Sequence, residues 1–126
     1  LNPKNNSVAY GLKIYGSHRQ SPGRSEFGTN TTAFSPPWHE STSIVDTNNW
    51  YHLAITIDNQ SVRIFIDSTI DSEISYTVKI GVSTHLIFIG ISADIVRAVK
   101  GLIDDIRIYK RALSAPEVQT LYNLGQ

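Results

Sequence analysis

The chain has 126 residues, 40% of them hydrophobic and 17% charged, and its 11 basic and 11 acidic residues leave no formal net charge. A neutral chain has no bulk electrostatic preference for nucleic acid or an anionic membrane surface, and no apolar run reaches the roughly 18 residues of a membrane span. Because the sequence lacks cysteine, it can form neither a disulfide nor a thiolate site. The length fits a single domain, residues 1–126.

Alternation of apolar and polar residues predicts mainly β-strands. In chain order the predicted strands are Val8–Tyr15, Trp50–Asp58, Val62–Asp67, Ile74–Ile80, Leu86–Ile91 and Leu102–Tyr109. A turn over residues 58–61 joins the second and third of these into a β-hairpin. Residues 16–43 are rich in Gly, Ser, Pro, Thr and Asn. This composition predicts a long loop or a loose hairpin, with one short strand near residues 31–34.

The one helix signal lies near the C-terminus. Residues 114–117 read Ser-Ala-Pro-Glu, a capping box with proline in the first turn. Val118, Leu121 and Tyr122 then follow at helical spacing. Many short strands and one terminal helix predict an all-β fold, an antiparallel jelly-roll β-sandwich with a short C-terminal helix.

Asp104 is the most informative single residue in the sequence. In the predicted strand it shares a face with Ile106 and Ile108, and a carboxylate on an apolar face is costly unless a partner compensates it. Three partners are open: backbone N–H groups, an Arg or Lys side chain, or a metal ion. Asp105 belongs to the other face, so the two carboxylates cannot flank one glycosidic bond as a catalytic pair.

Aromatic and polar residues in and beside the 16–43 segment are the best binding candidates. Sugars present apolar C–H faces and hydroxyl groups, which aromatic platforms with polar neighbours suit. The candidate ligand-binding residues are Tyr15, Arg19, Phe34, Trp38 and His39. The alternative is that the Pro-Pro-Trp run at residues 36–38 plugs the end of the sandwich.

Two blocks of the sequence resemble a known family. They are WYHLAITID (50–58) with VRIFID (62–67), and GLIDDIRIYKRALS (101–114). Their order and spacing resemble laminin-G-like, concanavalin A-like lectin/glucanase domains, with the patterns W-x-H-[LV]-A-x-T, Y-V-D-G and G-x-I-D-D-[IV]-R-I-Y-x-R-A-L-S. The resemblance covers about residues 45–122. The chain departs from the family at one turn, with Asp67-Ser68 where the family has Asp-Gly.

The resemblance implies a site and a topology. In such jelly rolls the inward Asp of the last strand, here Asp104, helps to bind a structural Ca²⁺ ion. Such domains usually begin with further strands, so the chain is expected to be the C-terminal part of a jelly roll. A sheet edge left open would be free to pair with another chain, including a second copy in a homodimer.

These features together predict a non-catalytic recognition module outside the cell that binds carbohydrate or a glycosylated protein. The laminarinase-like enzymes of the family carry an E-x-D-x-x-E strand, which this sequence lacks. One alternative is a structural or protein-interaction module that self-associates or docks a partner chain. Another is an accessory domain of a larger glycan-processing enzyme. Structural calcium is the one cofactor expected, and no nucleic-acid partner is expected.

Overall fold

The computed structural model describes residues 10–14, 23–29, 38–75, 87–91 and 98–125. Its elements are β1 (Tyr10–Ile14), β2 (Arg24–Thr29), β3 (Trp38–Ile44), β4 (Leu53–Ile57), β5 (Ser61–Ile66), β6 (Thr69–Ser75) and α1 (Ala115–Leu124). The strands form two three-stranded antiparallel sheets, β1-β2-β3 and β4-β5-β6. The predicted antiparallel β architecture with a short C-terminal helix is confirmed. In both sheets each strand pairs with the next along the chain, and the jelly-roll topology stays a prediction.

The second sheet is built around β5, its central strand. Val62 and Ile64 are buried on one face of β5, and three half-buried side chains pack against them: Ile55, Ile57 and Ile74. Phe65 is fully buried on the opposite face. A strand covered on both sides favours the nearly continuous apolar sequence seen here. Each such side chain contributes roughly 1.5–3 kcal/mol when it is removed from water.

The predicted hairpin of β4 and β5 is confirmed, and Asp58 fixes its turn. One carboxylate oxygen of Asp58 accepts the backbone N–H groups of Gln60 (2.7 Å) and Ser61 (2.8 Å). The other oxygen lies 3.1 Å from the Arg63 guanidinium. The N–H bond from Gln60, then that from Ser61, and then Arg63 hold the pKa of Asp58 below its usual value. An Asx turn of this kind needs no glycine.

The turn between β5 and β6 contains two residues, Asp67 and Ser68. Their φ angles are 49° and 68°, and the flanking residues Ile66 and Thr69 pair directly. Positive φ at both central positions is the mark of a type I′ turn, which matches the twist of a hairpin. The turn therefore keeps the hairpin geometry although serine replaces the glycine that such a turn prefers.

The edge strand β3 carries a bulge opposite β2. Residues 41–43 of β3 lie opposite Ser25 alone, and the Ser25 N–H donates to the Ser41 hydroxyl at 2.9 Å. The Arg24 guanidinium donates to the carbonyl oxygens of Ser41 and Thr42. Side chains thus replace the ladder bonds that the bulge interrupts.

A second bulge, in the edge strand β6, meets the first and joins the two sheets. Asp71 is the extra residue of β6. Its carboxylate accepts the N–H groups of Thr42 and Ser43, the latter at 3.0 Å. The Ser72 hydroxyl donates to the Glu40 carbonyl at 3.1 Å. Polar groups along the free edge of β3 are therefore satisfied by side chains of the other sheet, as an edge strand requires.

The predicted helix is confirmed as α1, with Ser114 as its N-cap. The Glu117 carboxylate accepts both the N–H and the hydroxyl of Ser114 at 2.9 Å. It also accepts two hydrogen bonds from the Arg111 guanidinium, at 2.6 and 2.9 Å. The Arg111 bonds and then those from Ser114 lower the pKa of Glu117 to about 2.

One face of α1 packs towards the second sheet. Val118 is fully buried, as its place in the apolar stripe predicts. The Tyr122 ring meets the His52 ring edge to face, with centroids 5.9 Å apart. His52 precedes β4, and its N–H donates to the Asp67 carboxylate at 2.9 Å. The helix therefore covers the end of the β5–β6 hairpin.

Several predicted boundaries are wrong. β4 begins at Leu53 rather than at Trp50. Just before it, the Asp67 N–H donates to the His52 carbonyl oxygen, and the Asp67 carboxylate accepts the His52 N–H in place of a ladder bond. β6 begins at Thr69, five residues before the start of the predicted strand Ile74–Ile80, and residues 76–80 of that strand lie outside the described ranges. Of the two alternatives for residues 16–43, the loose hairpin is confirmed, because β2 and β3 pair as antiparallel strands. The short strand near residues 31–34 lies outside the described residues.

The two predicted strands nearest the C-terminus are also wrong. Residues 87–91 hold only an isolated bridge, between Ile91 and Ala98, and residues 102–109 form no strand. The large apolar side chains of that second segment are exposed, from 45% for Tyr109 to 81% for Leu102. Alternation predicts a strand only where a neighbouring strand supplies hydrogen bonds and cover. No described strand pairs with these residues.

Candidate ligand-binding face

The first sheet brings together residues that are far apart in the sequence. Its register aligns two rows of positions across β1, β2 and β3: Gly11, Gly28 and Trp38 in one row, and Lys13, Glu26 and Glu40 in the other. The rows are two residues apart along every strand, so they share one face of the sheet. We call these six positions the Trp38 face.

The Trp38 face combines one aromatic position, two glycines and three charged positions. Gly28 pairs directly with Trp38, and Gly11 pairs with Gly28 from the far strand, so bare backbone adjoins Trp38 along this row. The second row lies about 7 Å away along the strands. Its positions hold one lysine and two glutamates, residue types that can hydrogen-bond hydroxyl groups.

Trp38 and His39 do not act on the same face. Both were predicted in a loop, and that prediction is wrong, because both begin β3. Neighbouring strand residues alternate between faces, so His39 belongs to the other face of the sheet from Trp38. The His39 ring hydrogen-bonds to the backbone of Ser72, and burial lowers its pKa, against the raising effects of that bond and of the Asp71 charge. His39 is thus engaged with β6, and a ligand contact by it stays a prediction.

The other predicted ligand residues are Tyr15, Arg19 and Phe34. All three lie outside the described residues, so their participation stays a prediction.

The predicted position of Asp104 on an apolar core face is wrong. Asp104 is exposed, and one of its carboxylate oxygens accepts the N–H of the next residue, Asp105, at 2.8 Å. Of the three open partners, a backbone N–H is the one observed. The φ of Asp105 is 50°, which bends the chain out of the extended form that the face assignment requires.

The described residues leave the calcium site expected at Asp104 untested. Ca²⁺ takes six to eight oxygen ligands, and within the described ranges no three His, Asp or Glu residues are grouped so that they could hold a metal ion. Structural calcium at Asp104 therefore stays a prediction.

Sequence reasoning missed Lys13, Glu26 and Glu40 as site residues. The two glutamates are distant along the chain, yet the register sets them directly opposite each other on β2 and β3. Like charges in directly opposite positions destabilise a strand pair, so such a pair is unusual unless it serves a purpose. Only the β2–β3 register reveals it.

The two antiparallel sheets agree with a family match that spans most of the sequence. The sequence profile of the Concanavalin A-like lectin/glucanases superfamily matches residues 3–119. The chain therefore belongs to this superfamily, whose domains are β-sandwiches, often carbohydrate-binding or structural and generally non-catalytic.

A solved structure with a similar fold is an S-layer domain-containing protein (residues 221–444) from Clostridium thermocellum ATCC 27405. The TM-score is 0.54 at 20% identity, and the match covers 97% of this chain. The chain spans only 66% of that structure, and the likeness supports the fold alone. A search of curated proteins finds no match to the sequence.

Helix α1 is too short to cross a membrane, and no other helix in the described ranges is long and apolar enough to do so.

Proposed function

We propose that the chain is a non-catalytic carbohydrate-recognition module that works outside the cell, and that the Trp38 face contacts the sugar. The observation that carries this proposal is the register of the first sheet, which sets Trp38 in one row with two glycines and two residues along each strand from a charged row. In the bound state the indole stacks on an apolar sugar face. The charged row binds the hydroxyls of the same or the next sugar unit.

Membership of the superfamily supports this proposal, since its domains are often carbohydrate-binding. A cell-surface or extracellular location belongs to this proposal too. The jelly-roll topology of the superfamily, with strands beyond those described, is part of the same proposal.

The test of binding compares the two tryptophans of the chain. We expect a glycan array probed with the purified protein to yield at least one oligosaccharide ligand, and Trp38→Ala to raise its Kd about tenfold or more, the equivalent of about 1.4 kcal/mol. Trp50→Ala is the matched control. Trp50 precedes β4 and is 66% exposed, so its loss should change the Kd less than twofold.

Three results would contradict the proposal: an array without any ligand, an unchanged Kd for Trp38→Ala, or equal losses for both variants. Circular dichroism of each variant separates loss of binding from loss of fold.

The charged row is also the place where catalysis would appear, because a retaining glycosidase needs two carboxyl groups about 5 Å apart. We expect no release of reducing ends when the protein is incubated with its glycan ligand. Hydrolysis lost in both Glu26→Gln and Glu40→Gln, but kept in Glu73→Gln, would show instead that the face is an active site. Glu73 lies on β6 and pairs with Arg63 at 2.9 Å, so it serves as the control.

A further inference from the structure

A histidine lies at the contact between β3 and β6. The His39 ring hydrogen-bonds to the backbone of Ser72. Further along β3, the Asp71 carboxylate accepts the N–H groups of Thr42 and Ser43, the latter at 3.0 Å. We call these contacts the β3–β6 junction. Because the charge of a histidine changes near neutral pH, the junction contains a group that mild acid can alter.

The hydrogen bonds of the His39 ring fit its neutral form. The bond to Ser72 raises the pKa of His39, as donation by the ring to a carbonyl oxygen does. The ring Nε2 atom is buried and has no hydrogen-bond partner among the described residues, so Nδ1 is the donor. Protonation would therefore place a second N–H and a positive charge on a buried atom that has no acceptor there, which is costly.

The charged groups of the neighbouring strands give the protonated ring little support. The Asp71 charge favours it, but both carboxylate oxygens of Asp71 already accept N–H groups of β3. The other charged residues of these strands are Arg24 and Glu26 on β2, Glu40 on β3 and Glu73 on β6. The arginine binds carbonyl oxygens of β3, the first two glutamates belong to the Trp38 face, and the third pairs with a guanidinium on β5.

Mild acid therefore works against the junction. Burial outweighs the bond to Ser72 and the Asp71 charge, so the pKa of His39 is lowered. A histidine whose pKa is lower in the folded than in the unfolded state costs stability as the pH falls below the unfolded value of about 6.5. To hydrate the charged ring, β3 must move away from β6. Because His39 directly follows Trp38 on β3, this movement reaches the Trp38 face.

We propose that the β3–β6 junction is an acid-sensitive contact, in which protonation of His39 releases β3 from β6 and loosens the Trp38 face. At neutral pH the bond to Ser72 and the two bonds to Asp71 hold β3 in place. In mild acid the charged ring leaves Ser72 for water, and the N–H groups that Asp71 holds become open to solvent. The ladder of the second sheet stays intact. This proposal does not depend on sugar binding.

Amide hydrogen exchange at Thr42 and Ser43 tests the junction directly, because these N–H groups bind Asp71. In the parent, their protection factors in NMR, corrected for the intrinsic effect of pH, should fall about tenfold or more between about pH 7.5 and 5.5. His39→Asn removes the titrating ring but keeps an N–H donor near the place of Nδ1. Its protection factors should change less than about threefold over the same range, as should those of the β5 ladder in both proteins.

His52→Asn is the matched control. His52 precedes β4, and its ring meets Tyr122 of α1, so this variant should keep the fall seen in the parent. Circular dichroism establishes that each variant is folded, and His39→Gln, which also keeps an N–H donor, takes the place of an unfolded His39→Asn. Unchanged protection of Thr42 and Ser43 in the parent would overturn the proposal. So would an equal fall in the parent and the His39 variant, which would assign the effect of pH to another group.

Discussion

The Glu117 carboxylate holds three groups at the start of α1: the Arg111 guanidinium and the N–H and hydroxyl of Ser114. All three favour its charged form, which is why its pKa falls to about 2. A carboxyl whose pKa is lower in the folded than in the unfolded state stabilises the fold above its unfolded pKa. That stabilisation is lost as the pH falls through the folded pKa.

At the residue scale, Glu117→Gln should therefore remove a pH-dependent part of the stability. Between pH 7 and pH 2.5 we expect the urea midpoint of the parent to fall more than that of the variant, because the parent loses the contribution of Glu117 between about pH 4.5 and 2. The pKa of Asp58 is also lowered, but Asp58 is present in both proteins, so its contribution cancels when the two falls are compared. Equal falls in the two proteins would contradict the assigned role of Glu117.

At the scale of the element, the β5–β6 turn places a serine where glycine is favoured. Ser68 adopts a φ of 68°, and a non-glycine residue in the left-handed region costs roughly 1 kcal/mol. The hairpin forms nonetheless because the β5–β6 ladder and the buried side chains of β5 determine its register.

Ser68→Gly should relieve this strain and stabilise the protein by about 0.5–1 kcal/mol, the gain being limited by the greater freedom of glycine in the unfolded chain. Ser75→Gly at the end of β6 is the matched control. There no positive φ is recorded, so glycine should destabilise by about 0.5–1 kcal/mol. Urea unfolding of both variants measures these two changes in the free energy of unfolding. If both variants gained stability, or both lost it, the turn assignment would be refuted.

Elements that depend on local chemistry were predictable from the sequence. The capping box predicted the start of α1, and the turn over residues 58–61 predicted the hairpin of β4 and β5. The segment 102–109 was not predictable in the same way, since alternation indicates a capacity to form a strand but not the presence of a neighbour. The Trp38 face was equally hidden. Turn-rich residues 16–43 conceal two strands, and no local signal sets Glu26 opposite Glu40.

At the scale of the molecule, the junction of the two sheets depends on Asp71. Its carboxylate is the acceptor for two N–H groups of β3, and hydrogen bonds to a charged group are worth about 1.5–3 kcal/mol. Because β3 also carries Trp38, the junction holds the proposed sugar-binding strand against β6, an edge strand of the second sheet.

Asp71→Ala should destabilise the protein by about 1–2 kcal/mol in urea unfolding, at the low end because the contacts are partly exposed. It should also weaken glycan binding through β3. Asp71→Asn keeps an acceptor and should lose less. Asp46→Ala, at an exposed turn residue, should change stability by less than about 0.5 kcal/mol. Equal stability of Asp71→Ala and the parent would show that the sheets are held together by other contacts.

The central claim, that the Trp38 face binds sugar, is tested most directly by fluorescence of a chain with Trp38 as its only tryptophan. The chain contains two tryptophans, so Trp50→Phe leaves Trp38 as the sole indole reporter. Titration with the tightest oligosaccharide from the array should shift the Trp38 emission saturably, with the same Kd as calorimetry gives for the parent. Emission that stays unchanged while calorimetry shows saturation would place the sugar elsewhere and contradict the claim.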